Sequence, residues 1–213
     1  MKDRQAELYS FEGKKVFVAG HKGMVGSALV RRLGNEKCAE ILTASRTEID
    51  LRLQRVTEEW MCQYRPHAVF LSAAKVGGIL ANNNYPVDFL YDNLMIAANV
   101  IHAAHVAGVE KLMFLGSSCI YPKFSKQPID ETELLSGPFE PTNEWYAIAK
   151  IAGIKLCQAY RRQHRADFIS AIPASLYGPG DNFDIESCHV IPALMQKIHD
   201  AKATHATKIT AWG

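Results

Sequence analysis

The chain has 213 residues, enough for one well-buried domain and part of a second. Its hydrophobic fraction of 48% and charged fraction of 22% are those of an ordinary globular protein. A formal net charge of +2, with Lys and Arg spread along the sequence, argues against nucleic acid or an anionic membrane as a partner.

Short apolar runs typical of β-strands alternate with helical patterns between Lys15 and Ile172. In chain order the predicted elements are strand Lys15–Ala19, helix Met24–Leu33, strand Ile41–Ala44, helix Leu53–Gln63, strand Ala68–Leu71, helix Asp88–Ala107, strand Lys111–Leu115, helix Asn143–Arg162 and strand Asp167–Ile172. Strands that are apolar on both faces and separated by helices indicate a parallel sheet covered on each side. We therefore predict an α/β fold, a doubly wound parallel sheet of the NAD(P)-binding Rossmann type.

The pattern changes at Pro173, where a long loop rich in Pro, Gly, Asn and Asp replaces the short connections. A helix over Val190–Ala201 follows, and Lys208–Trp212 has the composition of the start of a strand. We place a dinucleotide-binding domain at residues 1–173 and the beginning of a substrate domain at residues 174–213.

No targeting segment, membrane span or metal site is expected. Met1–Glu12 is polar, and no later apolar run is long enough to span a bilayer. Five cysteines without CxxC spacing suggest neither a disulfide framework nor a zinc knuckle. His102 and His105 are close in sequence, but no carboxylate or thiol completes a ligand set, so we read them as structural. A reducing, cytoplasmic setting follows.

Three glycines with the spacing GxxGxxG follow the first predicted strand. They lie in the segment Gly20-His21-Lys22-Gly23-Met24-Val25-Gly26, between a buried strand and a helix, where a dinucleotide fingerprint belongs. A Cβ there would block the turn, the approach of a pyrophosphate or the packing of helix on strand. The helix N-terminus also offers free backbone N–H groups to phosphates. This context favours cofactor binding over a purely structural turn.

The end of the second predicted strand favours NADP over NAD. An acidic residue there would bind the ribose 2′-hydroxyl and repel a 2′-phosphate, but the sequence has Ala44-Ser45-Arg46 with no carboxylate before Glu48. Arg46 can bind a phosphate through its guanidinium fork, and Lys22 in the glycine turn can add a second cation. The alternative is that both are solvated surface charges.

Tyr146 and Lys150 lie four residues apart on one face of a predicted helix. A neighbouring ammonium and the positive charge of an oxidised nicotinamide are both expected to lower the pKa of the phenol and prepare it for acid–base catalysis. Ser117 and Ser118 follow the strand Lys111–Leu115 at the carboxyl edge of the sheet, where open α/β sheets bind ligands. A serine there can orient a substrate carbonyl beside the tyrosine; the competing interpretation is an amphipathic helix with a core tyrosine.

Together these motifs resemble the extended short-chain dehydrogenase/reductase family. The segments that carry the resemblance are Ala19-Gly-His-Lys-Gly-Met-Val-Gly26, Ala73-Ala-Lys-Val-Gly-Gly78, Gly116-Ser-Ser-Cys-Ile-Tyr-Pro122, Glu140-Pro-Thr-Asn-Glu-Trp-Tyr-Ala-Ile-Ala-Lys150, Leu176-Tyr-Gly-Pro179 and Ser187-Cys-His-Val-Ile-Pro-Ala193. Within that family they are most similar to the enzymes that epimerise GDP-4-keto-6-deoxymannose at C3 and C5 and then reduce its ketone with NADPH.

The resemblance implies a role for each residue of the predicted catalytic set. Cys119 and His189 match the pair that exchanges protons beside the ketone, for which a thiol and an imidazole are well suited near neutral pH. Tyr146 would donate a proton to the C4 oxygen, assisted by Ser117 and Lys150, while NADPH supplies the hydride.

The resemblance also implies binding residues. Besides the glycine turn and Arg46, the cofactor would contact Asp50, Leu51, Leu115, Gly116, Ser117, Ser118, Lys150, Pro173, Ala174, Ser175, Leu176 and His189. The GDP-sugar would contact Lys197 and Trp212. Two subunits would pair through the helices Asp88–Ala107 and Asn143–Arg162, where Ala147, Ala149, Ala152 and Gly153 would allow close approach.

The family's chains continue past the position of Gly213, so we expect an incomplete, truncated substrate domain. NADP binding is expected to be retained and turnover of the GDP-sugar to be impaired. Two alternatives stay open at this point. One is a non-catalytic NADP-binding or dimer-forming remnant, and the other is a different nucleotide-sugar epimerase or dehydratase of the same fold.

Overall fold

The computed structural model describes residues 8–185 and 187–211, which fold around a five-stranded parallel sheet with the order β2-β1-β3-β4-β5. Its elements are β1 (Lys15–Ala19), α1 (Met24–Leu33), β2 (Glu40–Leu42), α2 (Gln54–Tyr64), β3 (Ala68–Leu71), α3 (Ile79–Asn84), α4 (Pro86–Val106), β4 (Lys111–Leu115), α5 (Glu144–His164), β5 (Asp167–Ala171) and α6 (Val190–Ala203). The predicted doubly wound α/β fold is confirmed.

Strands β1, β3 and β4 and helix α1 have the predicted bounds, and the differences lie elsewhere. Helix α3 was not predicted, because its sequence Ile79–Asn84 ends in three asparagines, which are poor helix formers. The strand expected at Lys208–Trp212 is wrong for residues 208–211, which form no regular structure; Trp212 lies outside the described residues.

The sheet has apolar side chains on both faces, as a parallel sheet covered by helices requires. Phe17, Leu112 and Phe168 belong to the larger core cluster, on the face that α4 and α5 cover. Val16 and Val18 belong to the smaller cluster with Leu33 of α1 on the opposite face. Alternate residues of β1 therefore stabilise opposite layers of the domain.

The strand order reverses between β1 and β3, and this point fixes where a ligand can bind. The chain leaves β1 for β2 on one side and returns to β3 on the other. Ser72, just after β3, is held to the end of β1 because its N–H and its Oγ both donate to Ala19 O, at 3.0 and 2.6 Å. Open α/β sheets bind ligands in the crevice at such a reversal.

Small residues on α5 serve the core of the chain rather than a partner. Ala147 and Ala149 are 0% and 1% exposed. A Cβ on Gly153 would lie 2.5 Å from Phe114 Cζ of β4. The expectation that Ala147, Ala149 and Gly153 allow the approach of a second subunit is therefore wrong, because all three are buried within the chain itself; for the half-buried Ala152 it stays a prediction.

Replacing Gly153 by alanine is expected to lower the free energy of unfolding by about 1–2 kcal/mol. Overpacking costs roughly 1–3 kcal/mol, and a Cβ 2.5 Å from Phe114 Cζ places Gly153 at about 2–3 kcal/mol, of which about 1 kcal/mol is offset by helix propensity. The melting temperature should fall by about 3–6 °C in a thermal melt. Gly34→Ala is the matched control, because Gly34 has helical φ −59° and its nearest atom outside the chain neighbours is Arg31 O at 3.4 Å. Equal melting temperatures for both variants would contradict the close packing of Gly153 on Phe114.

The segment after β5 is a long loop followed by α6, and among residues 174–185 and 187–211 it adds no strand to the sheet. The division into two domains at residue 173 stays a prediction. Within the described part of the chain, no helix is long and apolar enough to cross a membrane.

Candidate dinucleotide and catalytic site

Two glycines of the turn after β1 are required by the fold itself. Gly20 has φ +88°, and a Cβ there would lie 2.6 Å from Ala73 N. A Cβ on Gly26 would lie 2.1 Å from Gly20 O. The turn packs so closely on itself and on the segment after β3 that neither position accepts a side chain.

Gly23 is different, because the chain leaves room for a Cβ there. Its nearest neighbour would be Gly20 O at 3.5 Å, an ordinary van der Waals contact. Gly23 is also the N-cap of α1, which has no side-chain cap and no acidic residue in its first turn. The first N–H groups of a helix lack intrahelical acceptors and attract anions. The open cradle at Gly23 therefore fits the pyrophosphate of a dinucleotide.

The loop after β2 folds on its own carboxylate, Glu48, near Lys22. Glu48 Oε2 accepts hydrogen bonds from Ser45 N and Ser45 Oγ at 2.7 and 2.6 Å. These bonds, and to a smaller extent the positive charges of Lys22 and His21, lower the pKa of the Glu48 carboxyl. Lys22 and Arg46 are both exposed. The two predicted cations thus lie on the turns after β1 and β2.

A network that the sequence did not predict anchors the Asp50–Leu51 segment. Arg52 Nη2 donates to Asp50 Oδ2 at 2.6 Å, and its Nη1 donates to Asp92 Oδ1 of α4 at 3.1 Å. Hydrogen bonds from Arg52 lower the pKa of Asp50 to about 2. The buried Asn99 of α4 donates from Nδ2 to Leu51 O at 3.0 Å. Helix α4 therefore fixes the backbone that is expected to border the cofactor.

One cavity of about 160 Å³ at the carboxyl edge of the sheet brings four of the predicted catalytic residues together. Its lining consists of Val76, Gly77, Gly78, Ile79, Asn82, Ser117, Cys119, Asn143, Tyr146 and His189. The predicted members are Ser117, Cys119, Tyr146 and His189. Val76 to Asn82 and Asn143 were not singled out as functional; the Gly-Gly pair after β3 was the available signal.

Tyr146 is a protonated phenol in this setting. Burial raises its pKa above the ordinary value, the nearby Cys119 thiol raises it further, and a hydrogen bond with Ser117 lowers it. The ring packs edge-on against Phe89, with centroids 6.3 Å apart. The expectation that the pKa of Tyr146 is lowered is wrong here, because burial outweighs the stabilising hydrogen bond.

Lys150 lies beneath the phenol rather than in the cavity. Its side chain is buried, and Nζ donates to Leu115 O at the end of β4 at 2.7 Å. Nζ also lies 5.6 Å from the centroid of the Tyr146 ring and 4.9 Å from that of Phe114. Burial lowers the pKa of Lys150 to about 8, so the ammonium remains the main form at pH 7.

A single 3-10 turn presents Ser117 and Cys119 to the cavity. The turn spans Ser118–Ile120, and Ser117 caps it by accepting a hydrogen bond from Cys119 N at 3.3 Å. Gly116 lets β4 end close to its neighbours, since a Cβ there would lie 3.2 Å from Ile154 Cδ1. The strand therefore ends within reach of the first turn of α5.

The remaining predicted residues are more scattered. His189 is exposed and is the N-cap of α6, while Pro173–Leu176 follows β5 at the carboxyl edge. Lys197 Nζ donates to Thr210 O at 2.8 Å. Trp212, the second predicted substrate residue, lies outside the described residues.

The histidines of α4 pack against aromatic rings. His102 Nδ1 lies 2.6 Å from Tyr160 Oη, and the rings of His105 and His164 have centroids 4.4 Å apart. Among residues 8–185 and 187–211, no group of three His, Cys, Asp or Glu residues could hold a metal ion.

Comparison with known proteins gives a consistent result. Residues 16–213 match the NAD dependent epimerase/dehydratase family. The GDP-L-fucose synthase of Sinorhizobium fredii is 58% identical over 206 residues, which are 97% of this chain and 65% of that protein. The GDP-L-fucose synthase of Escherichia coli is 54% identical over 94% of this chain and 62% of that protein.

A solved structure of a GDP-L-fucose synthetase from Naegleria fowleri bound to NADP has a TM-score of 0.84 at 29% identity, covering 95% of this chain and 67% of that one. The chain thus spans 61–65% of the length of the most similar curated relatives.

Proposed function

Because this chain belongs to the NAD dependent epimerase/dehydratase family, we propose that it carries out the NADP(H)-dependent conversion of GDP-4-keto-6-deoxymannose to GDP-L-fucose. The reaction has two stages, epimerisation at C3 and C5 and reduction at C4. The observation that carries the proposal is the single cavity shared by Ser117, Cys119, Tyr146 and His189. We infer the identity of the sugar nucleotide from the names of two similar relatives, both GDP-L-fucose synthases.

NADP(H) is the cofactor, and the site is suited to it. The pyrophosphate would lie over Gly23 on the N-terminus of α1, where the chain leaves the space open. Lys22 and Arg46 would bind the 2′-phosphate, and the backbone of Asp50 and Leu51 would border the adenine. NADPH supplies the hydride for the reduction.

In the reduction, Tyr146 acts as the proton donor to the C4 oxygen. Its raised pKa keeps the phenol protonated, which is the form that a general acid needs. Ser117 hydrogen-bonds the same oxygen. The Lys150 ammonium beneath the ring favours the tyrosinate that is left after transfer.

In the epimerisation, Cys119 and His189 act on the carbons next to the ketone. One group removes the proton from the carbon, the C4 oxygen carries the enolate charge, and the other group returns a proton to the opposite face. Tyr146 and Ser117 stabilise that charge by hydrogen bonding. Both groups line the same cavity as Tyr146, which lets a single bound sugar meet them.

We also propose that the chain forms a homodimer through α4 and α5 and acts in the cytoplasm. Exposed apolar side chains on the two helices favour such an interface: Val87, Tyr91, Leu94, Trp145 and Ile148. The cytoplasmic setting is inferred from five free cysteines.

The test of the function is steady oxidation of NADPH, followed by its absorbance, on addition of GDP-4-keto-6-deoxymannose. The expected product is GDP-L-fucose, identified by mass spectrometry and NMR. Binding of NADPH without turnover would support a non-catalytic protein instead. Tightly bound NAD with interconversion at C4 alone would support a nucleotide-sugar 4-epimerase.

Arg46→Ala is expected to raise the Kd for NADPH about 10- to 100-fold and to leave the Kd for NADH unchanged. A hydrogen bond to a charged group is worth about 1.5–3 kcal/mol, and only NADPH offers the 2′-phosphate. Titration of cofactor fluorescence measures both constants. Arg55→Ala is the control, because Arg55 is an exposed cation of α2 that pairs with Glu59. An equal loss of affinity for NADH would show that Arg46 does not bind the 2′-phosphate.

A further inference from the structure

The segment between β3 and α3 is in direct contact with the segment that carries His189. Gly78 N donates to Ser187 O at 2.9 Å, and a Cβ on Gly78 would lie 2.6 Å from Cys188 O. His189 is the next residue and begins α6 as its N-cap. The place of His189 on the cavity wall therefore depends on how these two backbone segments are held together.

Asn82 of α3 holds the first of these segments. It is 4% exposed, and its Nδ2 donates to Gly77 O at 2.8 Å and to Gly78 O at 3.1 Å. The Asn82 backbone N–H donates to Gly78 O as well, at 3.1 Å. One buried amide thus fixes two successive carbonyl groups of the Gly-Gly pair.

The carbonyl oxygen of the Asn82 side-chain amide differs from its nitrogen in its hydrogen bonding. Asn82 Oδ1 is buried and has no hydrogen-bond partner in residues 8–185 and 187–211. A buried amide is stabilising where it is hydrogen-bonded, and both hydrogen bonds of the Asn82 side chain come from its Nδ2 donors. These two N–H donors fix the backbone of the Gly77–Gly78 segment. Asn82 also lines the same cavity as Cys119, Tyr146 and His189.

We propose that Asn82 is a positioning residue for His189, because its amide donors hold Gly77 and Gly78 against Ser187 and Cys188 and so set the imidazole on the cavity wall. The role rests on the proposed function of His189 in proton exchange at the sugar carbons. Asn82 itself takes no part in the chemistry; it acts through the backbone contact between the two segments.

Asn82→Asp is the sharpest variant, because aspartate keeps the shape and the Oδ1 acceptor but replaces the NH₂ group with a second oxygen that cannot donate. Asn84→Asp is its control, since Asn84 lies on the same short helix, is exposed, and receives the same charge. Asn82→Ala removes the donors without adding charge. Loss of function in both Asn82 variants would therefore follow from the donors and not from the new carboxylate.

The first readout is deuterium wash-in at C3 and C5 of GDP-4-keto-6-deoxymannose. Asn82→Asp and Asn82→Ala are expected to lower the kcat of wash-in at least about tenfold, because misplacement by about 1 Å can cost 10²-fold. The KM and the Kd for NADPH should stay within about twofold, since the turn at Gly23 is separate from this contact. Asn84→Asp should match the wild type in all of these values.

The second readout needs no turnover. Hydrogen exchange of the Gly78 amide, which donates to Ser187 O, should be at least about tenfold faster in both Asn82 variants. The NMR resonance of the His189 imidazole should shift in those variants and not in Asn84→Asp.

Faster exchange with unchanged wash-in would overturn the proposal, because Asn82 would then serve the fold alone. Unchanged exchange and an unshifted His189 resonance would overturn it as well. If the wild type itself shows no wash-in, the proposed function fails, and the Gly78 exchange and His189 resonance still decide whether Asn82 positions the imidazole.

Discussion

Tyr146→Phe is expected to lower the rate of NADPH oxidation by GDP-4-keto-6-deoxymannose about 10²- to 10⁴-fold, the usual contribution of a positioned general acid. The variant removes only the hydroxyl, so the edge-on packing of the ring against Phe89 is kept. Wash-in of deuterium at C3 and C5 is expected to fall at least about tenfold less than reduction. Both stages use a hydrogen bond to the C4 oxygen, but only reduction needs a full proton transfer to it.

Cys119→Ser is the matched counterpart, because the serine hydroxyl keeps the size of the group but exchanges protons poorly at neutral pH. It should lower wash-in more than it lowers binding of NADPH. The two stages are followed on one sample, by absorbance for reduction and by mass spectrometry for exchange. Equal losses of reduction and exchange in Tyr146→Phe would contradict a separate role for the phenol as the C4 proton donor.

The sequence predicted the fold well because the fold depends on local patterns. The short β-branched runs and the helical spacing between them placed β1, α1, β3 and β4 with their observed bounds. Helix α3 was missed because propensity argues against an Asn-rich turn, and the segment before it is held by a long-range contact, Gly78 N to Ser187 O, that no short window of sequence contains. The edges of β2 and α4 differ by a few residues, as helix and strand ends generally do.

The candidate site was predicted residue by residue but not as a geometry. Ser117, Cys119, Tyr146 and His189 could be named from motifs, yet only the fold shows that they line one cavity. The pKa of Tyr146 went the opposite way from the expectation, since the i, i+4 spacing gives proximity but not burial. Lys150 points to Leu115 O, a long-range contact that depends on where β4 ends.

Residues that position other functional residues were the hardest to predict from the sequence. Arg52 holds the Asp50 carboxylate, Asn99 holds the backbone carbonyl of Leu51, and Asn82 holds the Gly-Gly pair. None of them belongs to a motif with a chemical signature of its own. Arg52 acts through hydrogen bonds to carboxylates, and Asn99 and Asn82 act through hydrogen bonds to backbone carbonyls. Polar side chains can make such bonds once the fold has placed them.

The second large effect is expected from a substitution in the glycine turn after β1. Gly23→Ala is expected to raise the Kd for NADPH about 10- to 100-fold, because a methyl group at the cradle keeps the phosphates from the first N–H groups of α1, contacts worth about 1.5–3 kcal/mol each. The melting temperature without cofactor should fall by only about 1–3 °C, because Ala is a poorer N-cap than Gly but its Cβ meets only Gly20 O at 3.5 Å. Fluorescence titration and a thermal melt measure the two quantities.

Gly26→Ala separates ligand binding from folding at the same turn. Its Cβ would lie 2.1 Å from Gly20 O, a distance that forces the backbone to move. We expect this variant to lose several degrees in melting temperature as well as its affinity for NADPH. If Gly23→Ala behaved in the same way, Gly23 would be required by the turn alone. If Gly23→Ala bound NADPH normally, the pyrophosphate would not lie over this residue. Loss of binding at Gly23 with a far smaller loss of stability than at Gly26 is the result that identifies the cradle as a phosphate site.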